Sequence, residues 1–307
     1  MAQASGPAMQ GLFTEDFVHA PSRGHYRVYA EDGKAWMSLD RPGDNVIQGK
    51  KELVYFIGTG HRGRTYLFSQ DGFVFEAPTN WYGQQRLWDM APAYQKDREI
   101  PMNLPAVSSG LACHTSNSQA PLPGTENRYE QPLFAHAGVT CERCHGEGAA
   151  HVESGGPIVN PAKLPADRRD AICMGCHFEG RVAIQQPGRS LADFQPGDEL
   201  SHFVYTDDRI GALSQTEALA QSVCKRKSAD KMGCISCHDP HCTTAKEQAA
   251  PTIAANAWHA MTTNSVPNTN PRNLTAAYAT CRRPPPLTLL TRRPPTTAFF
   301  AHPKQPC

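Results

Sequence analysis

From residue 25 to residue 75 apolar and polar positions alternate with a period of two, the signature of strands with one buried face. His25-Tyr-Arg-Val-Tyr29 and Ala35-Trp-Met-Ser-Leu39 flank Asp32-Gly33, a dipeptide that readily adopts the left-handed backbone of a tight hairpin turn. Leu53–Ile57, Arg64–Phe68 and Phe73–Phe75 repeat the pattern, the last two joined at Asp71-Gly72. These runs predict an antiparallel β meander of four to six strands. Pro78–Asp97 carries Trp81, Tyr82, Trp88 and Tyr94 among Pro and Gly, and reads either as a covering loop or as ordinary aromatic packing.

Beyond residue 105 the pattern breaks into short pieces. Ala166–Cys173 reads as a short helix and Thr216–Lys225 as another, with Pro187-Gly188, Pro196-Gly197 and Asp207-Asp208 marking loops. After Glu247 no acidic residue remains, and 284–307 hold seven Pro. That composition predicts a disordered tail. The expected divisions are a disordered remnant (1–16), a β-rich module (17–105), a core of short helices and long loops (106–250), and a Pro/Arg/Thr tail (251–307) that could be read out of frame. The fold class is therefore mixed.

Composition sharpens the picture. A hydrophobic fraction of 39% with 26 Pro and 24 Gly is a poor supply for a conventional core in 307 residues. The net charge of +1 gives no electrostatic footprint for nucleic acid. No run approaches the 18 or so apolar residues of a membrane span.

The cysteines supply the missing chemistry. Six of the eleven fall in three copies of one pentad: Cys141-Glu-Arg-Cys144-His145, Cys173-Met-Gly-Cys176-His177 and Cys234-Ile-Ser-Cys237-His238. Cys-x-x-Cys-His is the attachment signature of c-type haem. Two thiols three positions apart reach the two vinyl groups of one porphyrin, and the next residue supplies the proximal imidazole. Zinc and iron–sulfur sites also use Cys-x-x-Cys pairs, but do not require a His immediately after each. The cofactor predicted is haem c at three sites, with Cys141, Cys144, Cys173, Cys176, Cys234 and Cys237 as thioether donors and His145, His177 and His238 as proximal ligands.

Gly110-Leu-Ala-Cys113-His114 repeats the pentad with Gly in place of the first thiol. It is either a fourth haem site, held by Cys113 alone with His114 as ligand, or a degenerate site without haem. For distal ligands, His241 and His151 follow pentads closely and point to neighbouring haems; His136, His202, His19 and His25 are weaker candidates. No phosphate-binding loop or Ser-based nucleophile motif is present, and no catalytic residue is assigned.

Gly138–Val152, Ile158–Leu164, Arg168–His177 and Met232–His241 resemble the periplasmic multihaem c-type cytochromes, a family often carrying tetratricopeptide repeats and distantly similar to nitrite reductases and hydroxylamine oxidoreductases. The resemblance implies a periplasmic carrier passing electrons among redox proteins of the periplasm or membrane, through haems with two axial ligands each. The alternatives are a haem oxidoreductase acting on a small nitrogen or sulfur oxyanion, and a non-redox sensing scaffold. Family members begin with a signal peptide and carry a full pentad where Gly110 stands. They continue past Cys281 with another, so this chain reads as a fragment with a truncated start.

Overall fold

The computed structural model describes residues 1–4, 15–60, 62–99, 102–116, 118–177, 182–207, 215–242, 248, 251–256 and 259. The chain forms two compact units, dividing after Thr140. Most of the expected remnant, and the expected tail beyond 259, lie outside the described residues.

The first unit is an eight-stranded antiparallel sheet. Its strands are β1 (Ala2–Gln3), β2 (Glu15–His19), β3 (Gly24–Glu31), β4 (Lys34–Arg41), β5 (Asp44–Ile57), β6 (Arg64–Gln70), β7 (Phe73–Tyr82) and β8 (Leu87–Met90). Strands β2 to β8 pair in sequence order, and β1 pairs with β5. The sheet curls towards a barrel, so that the Trp88 N–H of β8 donates to the Glu15 carboxylate of β2 at 3.0 Å. Both hairpins expected from Asp-Gly are present. Asp32 and Gly33 have φ of 52° and 73°, and Asp71 and Gly72 have 54° and 83°, the paired positive values that match the twist of flanking strands.

Alternation explains which residues form the core. Tyr26 and Val28 of β3 face Leu39 and Met37 of β4 in register, and all four are buried. They join Leu53, Tyr66, Phe68 and Trp88 in the larger core. The adjacent positions Tyr55, Leu67 and Val74 point to the other face, which is covered by Leu111, Tyr129, Leu133 and Phe134. Covering both faces is why Tyr66-Leu67-Phe68 is buried without interruption. The covering segment includes helix α1 (Ser108–Leu111), which leads directly into Cys113 and His114.

The aromatic stretch takes the packing alternative. Instead of a loop, Pro78–Tyr82 completes β7, and Trp88 of β8 sits opposite Trp81 with ring centroids 5.7 Å apart. Pro78 and Gly83 suggested irregular chain, but cross-strand aromatic pairing outweighs a local breaker. The sheet also exceeds the expected four to six strands, because β1 has two residues and β2 buries fully only His19. Neither carries a full alternating pattern.

The second unit is built of short pieces: α2 (Glu142–His145), α3 (Ala149–Ser154), α4 (Ala166–Met174), the two-stranded ribbon β9 (Val182–Gln185) with β10 (Val204–Asp207), α5 (Gln215–Gln221) and α6 (Val223–Ser228). The helix expected over Thr216–Lys225 is present as α5 and α6, interrupted at Ser222. The Ser222 hydroxyl donates to the Leu219 carbonyl at 2.7 Å and accepts from the Lys225 N–H at 3.1 Å, competing with helix continuation. The apolar cluster here is small: Ala171, Ile172, Leu191, Phe194, Phe203 and Val204, with Cys144, Leu164 and Leu200 at its margin. Residues 251–256, placed in the expected tail, are helical, and the Asn256 amide donates to the Cys237 carbonyl at 3.2 Å.

Candidate haem-binding sites

All three complete pentads lie in the second unit, and all adopt one backbone turn. In each, the carbonyl of the first Cys accepts from the second Cys N–H and from the His N–H. The distances are 3.1 and 2.9 Å at Cys141, 3.2 and 3.1 Å at Cys173, and 3.3 and 3.1 Å at Cys234. One helical turn places side chains three apart on the same face. The two sulfurs are thereby presented side by side, with the His one position further round. The six cysteines are thiols, not disulfides, while Cys242 is disulfide-bonded. Among the described residues no three His, Cys, Asp or Glu side chains converge as a bare metal ion would require. The donor set fits covalent haem.

Each pentad is held differently. In the first, Arg143 lies between the thiols and is buried, its guanidinium donating to the carbonyls of Leu191 at 3.2 Å and Phe194 at 3.5 Å. A buried cation needs such acceptors. The second pentad rides on the last turn of α4, whose Ala171 and Ile172 enter the apolar cluster. The third is a single 3-10 turn, Cys234–Ser236, tied to α4 by Asp170. The Asp170 carboxylate accepts the Cys234 N–H at 3.3 Å, pairs with Arg169 at 3.0 Å and faces the Lys225 ammonium at 3.7 Å. Lys225 also donates to the Met232 carbonyl at 2.5 Å. Gly233 makes this approach possible, because a Cβ there would collide with the Arg169 guanidinium and the Asp170 carboxylate.

These ties bring the second and third pentads together. The Cys173 and Cys234 thiols are hydrogen-bonded, and that contact, followed by burial, pushes Cys173 up while it holds Cys234 down. A cavity of about 540 Å³ opens beside them, lined by Met174, Leu200, Leu219 and Ala220 together with Cys234.

The histidines differ in what their nitrogens do. His145 Nδ1 lies 2.8 Å from the Val159 carbonyl. A carbonyl can only accept, so Nδ1 carries the proton and Nε2 keeps its lone pair, the form that ligates iron. His151 has the same arrangement, Nδ1 donating to the Gly156 carbonyl at 2.8 Å. The His241 ring lies parallel to that of His145, with centroids 5.8 Å apart and planes 14° apart. His177 and His238 are exposed.

The weaker candidates are exposed or engaged by other groups. His202 is exposed and faces Glu199 at 3.3 Å, and His136 is exposed. In the first unit, His25 lies between Asp40 at 3.1 Å and Asp16 at 3.8 Å. His19 is buried with both nitrogens engaged, Nδ1 with the Ser22 hydroxyl at 2.8 Å and Nε2 with the Gln95 carbonyl at 3.0 Å.

The incomplete pentad is in the first unit. Cys113 N–H reaches the Gly110 carbonyl at 3.4 Å, as in the complete pentads, but His114 N–H bonds Leu111 at 2.8 Å instead of the first position. Burial, with the Met1 ammonium nearby, pushes the His114 imidazole down to about 4.

Sequence reasoning did not single out Asp170, Arg143 or Gly233. Arg143 occupies a position that the motif leaves unspecified, and the bond from Asp170 to Cys234 spans 64 residues. A Gly immediately before a pentad was the one available signal.

Comparison with known proteins bears on the same residues. Residues 83–146 match the family model "Cytochrome c554 and c-prime", a stretch containing Gly110–His114 and Cys141–His145. Over 154 residues the chain is 25% identical to the multiheme cytochrome MtrA of Shewanella baltica (strain OS185), covering 44% of this chain and 46% of that protein. It thus spans about half the length of this curated relative. The crystal structure of the outer cell wall cytochrome OcwA aligns over 62% of this chain and 44% of that one, at 18% identity and a TM-score of 0.42. Over these parts of its length the chain, with three identically turned Cys-x-x-Cys-His pentads, is similar to multihaem c-type cytochromes.

Proposed function

We propose that this chain is an extracytoplasmic electron carrier, relaying electrons between periplasmic or membrane redox proteins through three haems c. The observation that carries the proposal is the shared turn, which presents two thiols and an imidazole in the same way at Cys141–His145, Cys173–His177 and Cys234–His238. Each bound haem would supply one-electron chemistry at its iron. The chain's own residues fix where that chemistry happens. Asp170 and Gly233 hold the third turn against α4, and the contact between the Cys173 and Cys234 thiols supports a reading in which the second and third haems sit close together.

In this proposal His145, its tautomer fixed by Val159, and His241 would together hold one haem iron. His151, whose Nδ1 proton is also held by a carbonyl, serves a neighbouring haem. An iron held by two protein ligands would have no open position for substrate, which supports a carrier over an enzyme at those haems. Among the described residues no helix is long and apolar enough to cross a membrane.

The test is to export the full chain from cells with c-type haem maturation and record pyridine haemochrome and reduced-minus-oxidised spectra. A c-type spectrum with low-spin iron is expected. Absence of covalent haem would refute the proposal, and a high-spin component that responds to nitrite, hydroxylamine or sulfite would replace the carrier by an oxidoreductase.

A further inference from the structure

We propose that the part of the sheet core around Arg64, Tyr66 and Trp88 is a binding site for a small organic carboxylate. The site lies wholly in the first unit and is independent of the haem assignments.

Three observations lead here. First, two buried donors have nothing to donate to. The Tyr66 hydroxyl and the Trp88 indole N–H have no hydrogen-bond partner among the described residues, although these residues are only 0% and 2% exposed. Buried polar groups are nearly always paired. Two other tyrosines of this unit follow that rule: the Tyr94 hydroxyl donates to the Glu76 carbonyl at 3.2 Å, and the Tyr129 hydroxyl to the Ala106 carbonyl at 2.8 Å. Second, the two donors sit on rings in contact, with centroids 5.1 Å apart, within reach of a single ligand. Third, the charged group beside them is another donor. Arg64 pairs in register with Trp81 of β7, and Trp81 with Trp88 of β8. The Arg64 guanidinium lies over the Phe56 ring, 4.5 Å from its centroid. Burial pushes the Tyr66 phenol up to about 12, and the nearby Arg64 charge acts against that rise. Arginine carries only donors, so it cannot receive the Tyr66 proton. Gly60, at φ of 89°, passes so close that a Cβ on it would lie 3.0 Å from Arg64 Nε. Bare backbone at that point leaves room for the guanidinium.

The chemistry of the donors names the ligand class. A hydroxyl, an indole N–H and a guanidinium together call for oxygen acceptors bearing negative charge. A carboxylate meets a guanidinium through two parallel hydrogen bonds. Phe56, Tyr66, Trp81 and Trp88 form an apolar wall, with successive centroids 5.1 to 6.0 Å apart, which suits an organic acid better than an inorganic ion. The Glu15 carboxylate, which accepts the Trp88 backbone N–H at 3.0 Å, brings a negative charge nearby and disfavours a dianion. Arg64 and Trp81 are half-buried, which places the way in on their side.

Isothermal titration calorimetry of the exported full chain tests this, with benzoate as the probe and benzyl alcohol as its uncharged counterpart. Benzoate should bind saturably and benzyl alcohol should not. Tyr66→Phe and Arg64→Gln should each weaken benzoate about tenfold or more, the scale of a hydrogen bond to a charged group. Tyr94→Phe, which removes a hydroxyl partnered elsewhere, should leave the affinity unchanged. Without benzoate, Tyr66→Phe should raise the thermal midpoint, because it deletes a buried hydroxyl that has no partner. A hydroxyl kept for structure would lower it. The Soret band should stay still during the titration, which separates this site from binding at a haem iron. Absence of saturable heat, equal binding of benzyl alcohol, undiminished affinity in Tyr66→Phe, or a Soret shift that follows the heat would overturn the proposal. Each of these results leaves the electron-carrier reading standing.

Discussion

The imidazole of His241 lies parallel to that of His145, their planes 14° apart and their centroids 5.8 Å apart. His241 is three residues beyond His238, too close in sequence to oppose it across an iron, and it faces the histidine of a different pentad. His241→Ala should therefore leave the haem count unchanged and convert one haem from low-spin to high-spin, with a shift in that haem's potential. Electron paramagnetic resonance of the oxidised protein reads this directly. Retention of every low-spin signal would remove His241 from the ligand set.

Asp170 is the second place to probe. Its carboxylate is buried between Arg169, Lys225 and the Cys234 amide. Asp170→Ala strands two cations and an N–H, and loss of one partner from a buried charge network costs about 3–5 kcal/mol. Urea unfolding followed by circular dichroism should show a lower midpoint for the second unit. Gly233→Ala should act in the same direction, since its new methyl displaces the same Arg169–Asp170 pair.

Stability of the sheet unit should depend on pH through Glu76. Burial pushes its carboxyl up to about 7 from the ordinary 4.5. The folded chain then holds a proton that the unfolded chain has released, so stability is greatest below 4.5 and falls as pH rises through 7. The full loss from this one group is roughly 3 kcal/mol by the conversion of 1.36 kcal/mol per pH unit. Thermal unfolding from pH 5 to 8 measures it, and Glu76→Gln should flatten the dependence.

Leu53 provides a control for the sheet core. It is fully buried and pairs with Ala35 on one side and Phe68 on the other. Leu53→Ala should cost about 2–5 kcal/mol of stability through lost burial and an unfilled cavity. Denaturant unfolding gives the value, while the haem count of the mature protein should stay at that of the parent.

The sheet was legible where chemistry is local. Asp32-Gly33 and Asp71-Gly72 announce their turns, and Tyr26, Val28, Met37 and Leu39 announce one inward face. What hid β8 was the need for a partner: Leu87–Met90 is only four residues, and becomes a strand by pairing Trp88 with Trp81. The pentads were equally legible as a spacing. Their setting was not, because Asp170 reaches Cys234 across the sequence, and Arg143 finds its carbonyl acceptors at Leu191 and Phe194. Folding supplies those partners, and no pattern of residue types encodes them.

The buried guanidinium of Arg143 carries a consequence for how such motifs are written. The two letters between the cysteines are ordinarily blanks, yet in this chain they distinguish one pentad from another. Arg143 roots the first turn in the Leu191–Phe194 bend, Met174 borders the cavity beside the second, and Ser236 accepts the Gly233 N–H at the third. The backbone is common to all three and the blanks are private to each. They act as an address, orienting each turn within its own surroundings while leaving its chemistry unchanged.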